Sequence, residues 1–165
     1  TPVEVGDYYA WGETQPKDSY YKTGYKYYDG TAYTKYYEDD GLTVLEACDD
    51  VATAKLGSEW RMPTYDEMEE LFDNCTWIWT ADKGVGGYTV TSNINGNSIF
   101  LPAGGDFYED EPYMVGDDGE YWTSESPVKK TFSYYMVFFK KGGKKLGTTD
   151  RFVGLPIRPV YAPAE

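Results

Sequence analysis

A chain of 165 residues is long enough for one domain with a core of its own, and its net charge of −13 argues against a general nucleic-acid or anionic-membrane binder. Histidine is absent, which removes the usual near-neutral proton shuttle and the commonest metal ligand. The only two cysteines, Cys48 and Cys75, are too few for a disulfide framework and lack zinc spacing.

The opening TPVEVGDYYAWGE carries no leader and reads as the start of a mature or trimmed fragment. Within it, YYAWG (8–12) predicts a short strand. The tract SYYKTGYKYYDGTAYTKYYEDDG (19–41) then sets eight tyrosines among twenty-three residues. Punctuated by Gly24, Gly30 and Gly41 and lacking a sustained period, it reads as a long loop. Two uses compete for these rings: platforms on which a ligand stacks, or anchors lying flat on the domain with their hydroxyls in water. Anchoring is favoured, because a long loop needs apolar contacts to offset the entropy of ordering it.

From Thr43 the apolar residues Val44, Leu45, Cys48, Val51, Ala52 and Leu56 recur at three- and four-residue steps, and Gly57 follows. The spacing predicts a helix of about three turns. A second helix is announced by Thr64 as N-cap with Glu67 three residues on, and by the stripe Met68, Leu71, Phe72 and Cys75. Both cysteines are expected on apolar helix faces, as two buried free thiols or a single bridge.

Beyond Cys75 the chain turns to strands. TWIWT, GYTVTSNI, NSIFLPAGG, GEYWTSES, TFSYYMVFFK and VGLPIRPVY all carry β-branched or aromatic alternation. Asn95-Gly96 signals a two-residue hairpin and Gly142-Gly143, inside KKGGKK, a second hairpin tip. Two helices followed by mainly antiparallel strands give an α+β class, as a single domain over 1–165. No segment is apolar for the roughly 18 residues that a membrane span needs, so no membrane insertion is expected.

Catalytic patterns are weak. Nucleophile–base constellations lack a histidine, and the paired acids around Glu109 and Asp118 are what chance gives in a chain with 28 carboxylates. A calcium loop centred on Gly119 fails, since Met114 and Gly116 stand where carboxylates are needed. No catalytic residue, metal or cofactor is therefore expected. The charge, however, is uneven. Residues 1–128 hold 26 acids and 7 bases, whereas 129–158 hold eight bases, from Lys129 to Arg158, against Asp150 alone. This basic segment either docks on the acidic remainder of its own chain or faces an acidic partner.

GDYYAWGETQPK, LGSEWRMPTYDEMEELFDNCTW, NGNSIFLPAGG, EYWTSES and GLPIRPV, in that order, resemble the Fibrobacter-type major paralogous domain family of Bacteroidetes surface and secreted proteins. The resemblance spans essentially the whole chain. Its most specific parts are Trp60, Arg61, Pro63, Thr64, Glu67, Leu71, Cys75 and Trp77, with the closing Arg158-Pro159-Val160. It implies a C-type-lectin-like fold, a position on or outside the cell surface of a Gram-negative bacterium, and no catalytic residues. Arg61 and Arg158 become framework residues that hydrogen-bond loop carbonyls. Two departures stand out. A strand that usually precedes GDYYAWGE is missing, and Glu111-Pro112 is followed by Tyr113 with no Trp-Asn-Asp, which argues against calcium-dependent sugar binding.

Related variable proteins of the same fold class gather their ligand contacts in the last strands and loops. That region coincides here with the basic segment. The expected function is thus a non-catalytic, adhesin-like module that recognises an acidic glycan or protein partner. Its expected surface is Lys140, Lys141, Lys144, Lys145, Asp150, Arg151 and Phe152, with Tyr108 and Tyr113 on a second side. The rival readings are a structural domain of a larger surface or pilus-like assembly, and a formylglycine-generating-type oxidoreductase, which would need a reactive cysteine pair.

Overall fold

The structure, a computed structural model, describes residues 4–37, 40–81, 84–128 and 130–163. Lys129, counted above in the basic segment, lies outside the described residues.

The block EWRMPTYDEME builds the best-specified junction. Thr64 caps α2 (Tyr65–Asn74): its hydroxyl accepts from Glu67 N at 3.2 Å, and Glu67 Oε2 accepts from Thr64 N at 2.9 Å. This reciprocal box satisfies two amides that the first helical turn leaves unpaired. Arg61 grips the same carboxylate with both terminal nitrogens, at 2.7 and 2.6 Å, and also donates to Met62 O. The stripe Met68, Leu71, Phe72 and Cys75 packs inward, and Cys75 opens β2 (Cys75–Thr80) with no loop between.

The first helix is shorter than its periodicity predicts. α1 covers only Val51–Leu56, with the Asp50 carboxylate accepting from Ala52 N and Thr53 N, and Gly57 closes it. The preceding residues run as an extended stretch and a turn: Val44 bridges Glu125, and Leu45 N donates to Ser124 O at 2.9 Å. The two aspartates decide this. Asp50 is worth more as a cap than inside a helix, and Asp49 is drawn to the tyrosine tract. Cys48 is thereby taken out of the helix and exposed, Cys75 is half-buried, and neither is disulfide-bonded.

Two three-stranded antiparallel sheets form the body: β2, β3 (Gly87–Ser92) and β4 (Ser98–Pro102), and β7 (Asp118–Trp122), β8 (Phe132–Phe139) and β9 (Lys144–Asp150). Two-stranded ladders join β1 (Trp60–Arg61) to β10 (Val160–Tyr161) and β5 (Asp106–Tyr108) to β6 (Glu111–Tyr113). The chain is α+β. The β3–β4 turn is longer than Asn-Gly alone predicts: Ser92 N donates to Asn97 O, so four residues lie between. Two expected strands are mostly bridges. Among the described residues YYAWG forms a single bridge, Tyr9 to Leu155, and VGLPIRPVY reaches a ladder only at its end, Val160–Tyr161, because Pro156 and Pro159 lack the amide a ladder needs.

Two hydrophobic clusters fill the interior. One, under α2, collects Met68, Val90, Leu101, Tyr121, Met136 and Phe138. The other is built largely from the tyrosine tract. Tyr20, Tyr25 and Tyr36 are 0, 2 and 1% exposed and surround Trp11, Met62, Trp122 and Leu155. Their hydroxyls are not in water, as anchoring alone would leave them. Tyr20 donates to Tyr8 O at 2.5 Å, Tyr25 to Trp11 O at 2.7 Å and Tyr36 to Asp49 at 2.7 Å. The tract is core rather than a ligand platform, each buried ring contributing roughly 1.5–3 kcal/mol.

Candidate ligand-binding surface

The Asp49 carboxylate organises the tract from within. Lys26 reaches Oδ1 at 2.9 Å, Lys35 reaches Oδ2 at 2.6 Å, and Tyr36 donates to the same oxygen. Glu46 and Cys48 lie close enough to make, with Asp49, a set that could hold a metal ion. Lys35, however, also pairs with Glu46. Two ammonium groups already neutralise these carboxylates, so the cluster is an internal clasp rather than an open metal site.

The expected basic surface divides into separate places. The hairpin tip between β8 and β9 forms as expected, closed by Phe139 N to Gly143 O at 3.0 Å, with Gly142 and Gly143 at φ 94 and 100, where only glycine is unstrained. Lys140, at this tip, pairs with Asp117 at 3.1 Å; Lys141 is exposed beside it. Along β9 side chains alternate, so Lys144 and Lys145 stand on opposite faces. Lys145 stands opposite Val137, which pairs with Glu120. Burial pushes the Glu120 carboxyl up to about 7, Asp106 and Asp118 add to the shift, and Lys145 opposes it.

Further along, Arg151 is 0% exposed and lies over the Trp11 ring, 5.0 Å from its centroid, donating to Phe132 O and Lys35 O. It is a buried strut under the tyrosine tract and cannot face a partner. Phe152 is also buried, against Tyr108 at 6.1 Å. Asp150 is half-buried near Lys22, and Tyr113 is exposed on β6, donating to Glu111. A single cationic face running from Lys140 to Phe152 does not form. Strand alternation and the burial of residues 151 and 152 undo it.

One of the expected residues does meet aromatic rings. On β2 and β3 the register places Trp77, Trp79 and Tyr88 on one face of the sheet, Trp79 directly opposite Tyr88. Trp77 meets Phe72, Tyr88 and Phe138 edge-on at 5.6, 5.6 and 5.9 Å, and its indole N–H is fixed on Leu71 O at 2.8 Å. Tyr88 is held in turn by its hydroxyl on Phe139 O at 3.1 Å. Lys144 crosses from the second sheet, its ammonium 5.5 Å from the Trp77 centroid and 5.4 Å from that of Phe72. Beside it opens a hollow of about 410 Å³ lined by Trp77, Tyr88, Gly143 and Lys144. Both rings are half-buried and locked by hydrogen bonds, so the floor is rigid.

No family model, curated protein or solved structure matches this chain.

The hollow joins an aromatic floor, the Lys144 ammonium and the backbone of a glycine tip. Those elements suit a ring with an apolar face and an anionic substituent: the face stacks, the anion meets the ammonium, and the glycine lets the ligand come close to the backbone. The sequence offers Trp77, with Trp79 and Trp122, as a ring on which a sugar could stack and favours core packing for most of the tryptophans; Tyr88 is not singled out. The signal for the pair was the alternation of β2 and β3, which fixes that Trp77, Trp79 and Tyr88 share a face but not which element covers it.

Proposed function

We propose that this chain is a non-catalytic, extracellular ligand-binding module of C-type-lectin-like type, related to the Fibrobacter-type major paralogous domain family. Its ligand is an acidic saccharide, held in the hollow formed by Trp77, Tyr88, Gly143 and Lys144. The family reading is supported by the way its most specific residues converge. Arg61, Thr64 and Glu67 form one clamp, and Val160 pairs with Arg61 to tie the chain's last strand to that clamp.

The observation that carries the ligand class is the Lys144 ammonium poised over Trp77 beside an open aromatic hollow. The remainder of the chain is strongly acidic, so a cation held at an aromatic floor selects anionic ligands only at short range. The test is a glycan-binding screen that includes uronic-acid and sulfated oligosaccharides with their neutral counterparts, run with and without calcium. The proposal expects calcium-independent binding confined to the anionic members. Binding of neutral glycans alone, or only in the presence of calcium, would remove it.

A further inference from the structure

Between α2, β4 and the segment 158–160 lies a second cavity, of about 260 Å³. Its walls are apolar, formed mainly by Met68, Leu71, Ile99, Leu101 and Met136, and only two of its lining residues are charged: Glu67 and Arg158. The two differ in one respect that decides the chemistry. Glu67 is already satisfied. Arg61 holds it with two nitrogens and keeps its carboxyl below the usual range, against the opposing effect of burial, and the Thr64 amide donates to it as well. Arg158 has no such partner. The loop-carbonyl bonds expected of it by family resemblance are made by Arg61 and not by Arg158, whose guanidinium forms no hydrogen bond or ion pair among the described residues.

Half-buried and unpaired among the described residues, Arg158 is the uncompensated charge of an otherwise greasy cavity. Its field reaches the buried Tyr121 hydroxyl, which donates to Pro102 O at 2.6 Å; Arg158 opposes the rise that burial imposes on that phenol. A planar guanidinium presents paired donors that match a carboxylate, and in an apolar setting that pairing is stronger than in water. The volume falls just below the range of drug-sized sites, which limits the occupant to a small molecule.

We propose that this cavity binds a small apolar monocarboxylate, with its carboxylate on Arg158 and its hydrocarbon chain against Met68, Leu71, Ile99, Leu101 and Met136. The occupant is chosen by charge complementarity: among the described residues the lining holds one cation without a partner, a neutralised acid, and no other polar side chain. The site is independent of the saccharide hollow, because it shares no lining residue with it.

Hexanoate and its neutral isostere hexanamide serve as probes on the intact chain, followed by methyl resonances of the lining residues. Hexanoate should shift the Met68, Leu71, Ile99 and Met136 methyls, and hexanamide should bind at least about ten-fold more weakly. Arg158→Gln should weaken hexanoate by about ten- to hundred-fold and leave hexanamide unchanged, whereas Arg158→Lys should retain part of the preference. Equal binding of the two probes to the native chain, or hexanoate shifts that map elsewhere, overturns the proposal; this comparison stands even where Arg158→Gln does not fold. A short leucine-terminated peptide that binds more tightly than hexanoate overturns the free acid as occupant.

Discussion

Lys144 and Lys145 are neighbours in the chain and stand on opposite faces of β9, the first with its ammonium over Trp77, the second on the side of Glu120. A model in which the four hairpin lysines act together predicts equal losses on reversing either charge. The geometry predicts otherwise. Lys144→Glu should reduce binding of an acidic saccharide by about ten-fold or more, and Lys145→Glu by about two-fold at most, since it acts only through a screened long-range field. Native affinity should also fall between low and physiological salt. Isothermal titration of the two variants decides the matter, and equal losses would return the site to the hairpin as a whole.

Asp49 carries the tyrosine tract. It is 2% exposed and receives Lys26, Lys35 and Tyr36 on its two oxygens. Burial alone would raise its carboxyl, but the bonds from Lys26, Lys35, Tyr27 and Tyr36 outweigh it and hold the group well below the usual aspartate range. A carboxyl depressed in the folded state contributes stability that is complete above the ordinary aspartate value near 4 and is lost as pH falls further. Asp49→Asn leaves two lysines without their shared anion and should cost about 3 kcal/mol at pH 7. It should also flatten the acid limb of the stability curve. Denaturant melts of both proteins at pH 7 and pH 3 measure each effect.

Local chemistry was legible in the sequence wherever one residue's own hydrogen bonds decide the outcome. The Thr64–Glu67 box, the inward stripe of α2 and the glycine tip at 142–143 all form as their residue types require. What was not legible depended on distant partners. Residues 44–50 have helical spacing, yet Ser124 and the tract's lysines offer Leu45 and Asp49 better bonds than a helix would. The tyrosines read correctly as anchors, but their hydroxyl acceptors are backbone carbonyls at Tyr8 and Trp11 and a carboxylate at Asp49, which no local pattern names. The cationic surface failed for a simpler reason. The bases are close along the chain, whereas a strand sends consecutive residues to opposite sides, and Arg151 is worth more as a buried strut over Trp11.

The cysteines give a prediction that bears on the oxidoreductase reading. Cys48 sits in an exposed turn, while Cys75 is half-buried at the start of β2, where burial and then Glu70 push its thiol up. Alkylation at pH 8 should therefore modify the exposed Cys48 first, with Cys75 slower by about ten-fold, because burial both shields Cys75 and raises its thiol. Time-resolved labelling read by mass spectrometry gives the two rates. Fast reaction at Cys48 alone follows from exposure and does not signal a redox site. Simultaneous fast loss of both thiols would revive the oxidoreductase reading.

Glu120 should make the protein less stable as pH rises, against the trend set by Asp49. Its carboxyl is pushed up from an ordinary 4.5 to about 7, by burial first and then by Asp106 and Asp118, with Lys145 opposing and Tyr135 on the same side of the sheet. Between those two values the folded state holds a proton that the unfolded chain has released. Stability then falls with rising pH across about 4.5 to 7 and levels off above, where Glu120 is ionised in both states. The full penalty of keeping this partly solvated carboxylate charged is about 2 kcal/mol. Glu120→Gln should therefore stabilise the protein by about that amount at pH 8 and leave it nearly unchanged at pH 4.5. Stability curves for the two proteins over this range test the sign directly, and the side-chain carboxyl carbon of Glu120, followed by NMR titration, should turn over near neutrality rather than near 4.5. A gain of equal size at both pH values would mean that the substitution acts through packing and not through the charge.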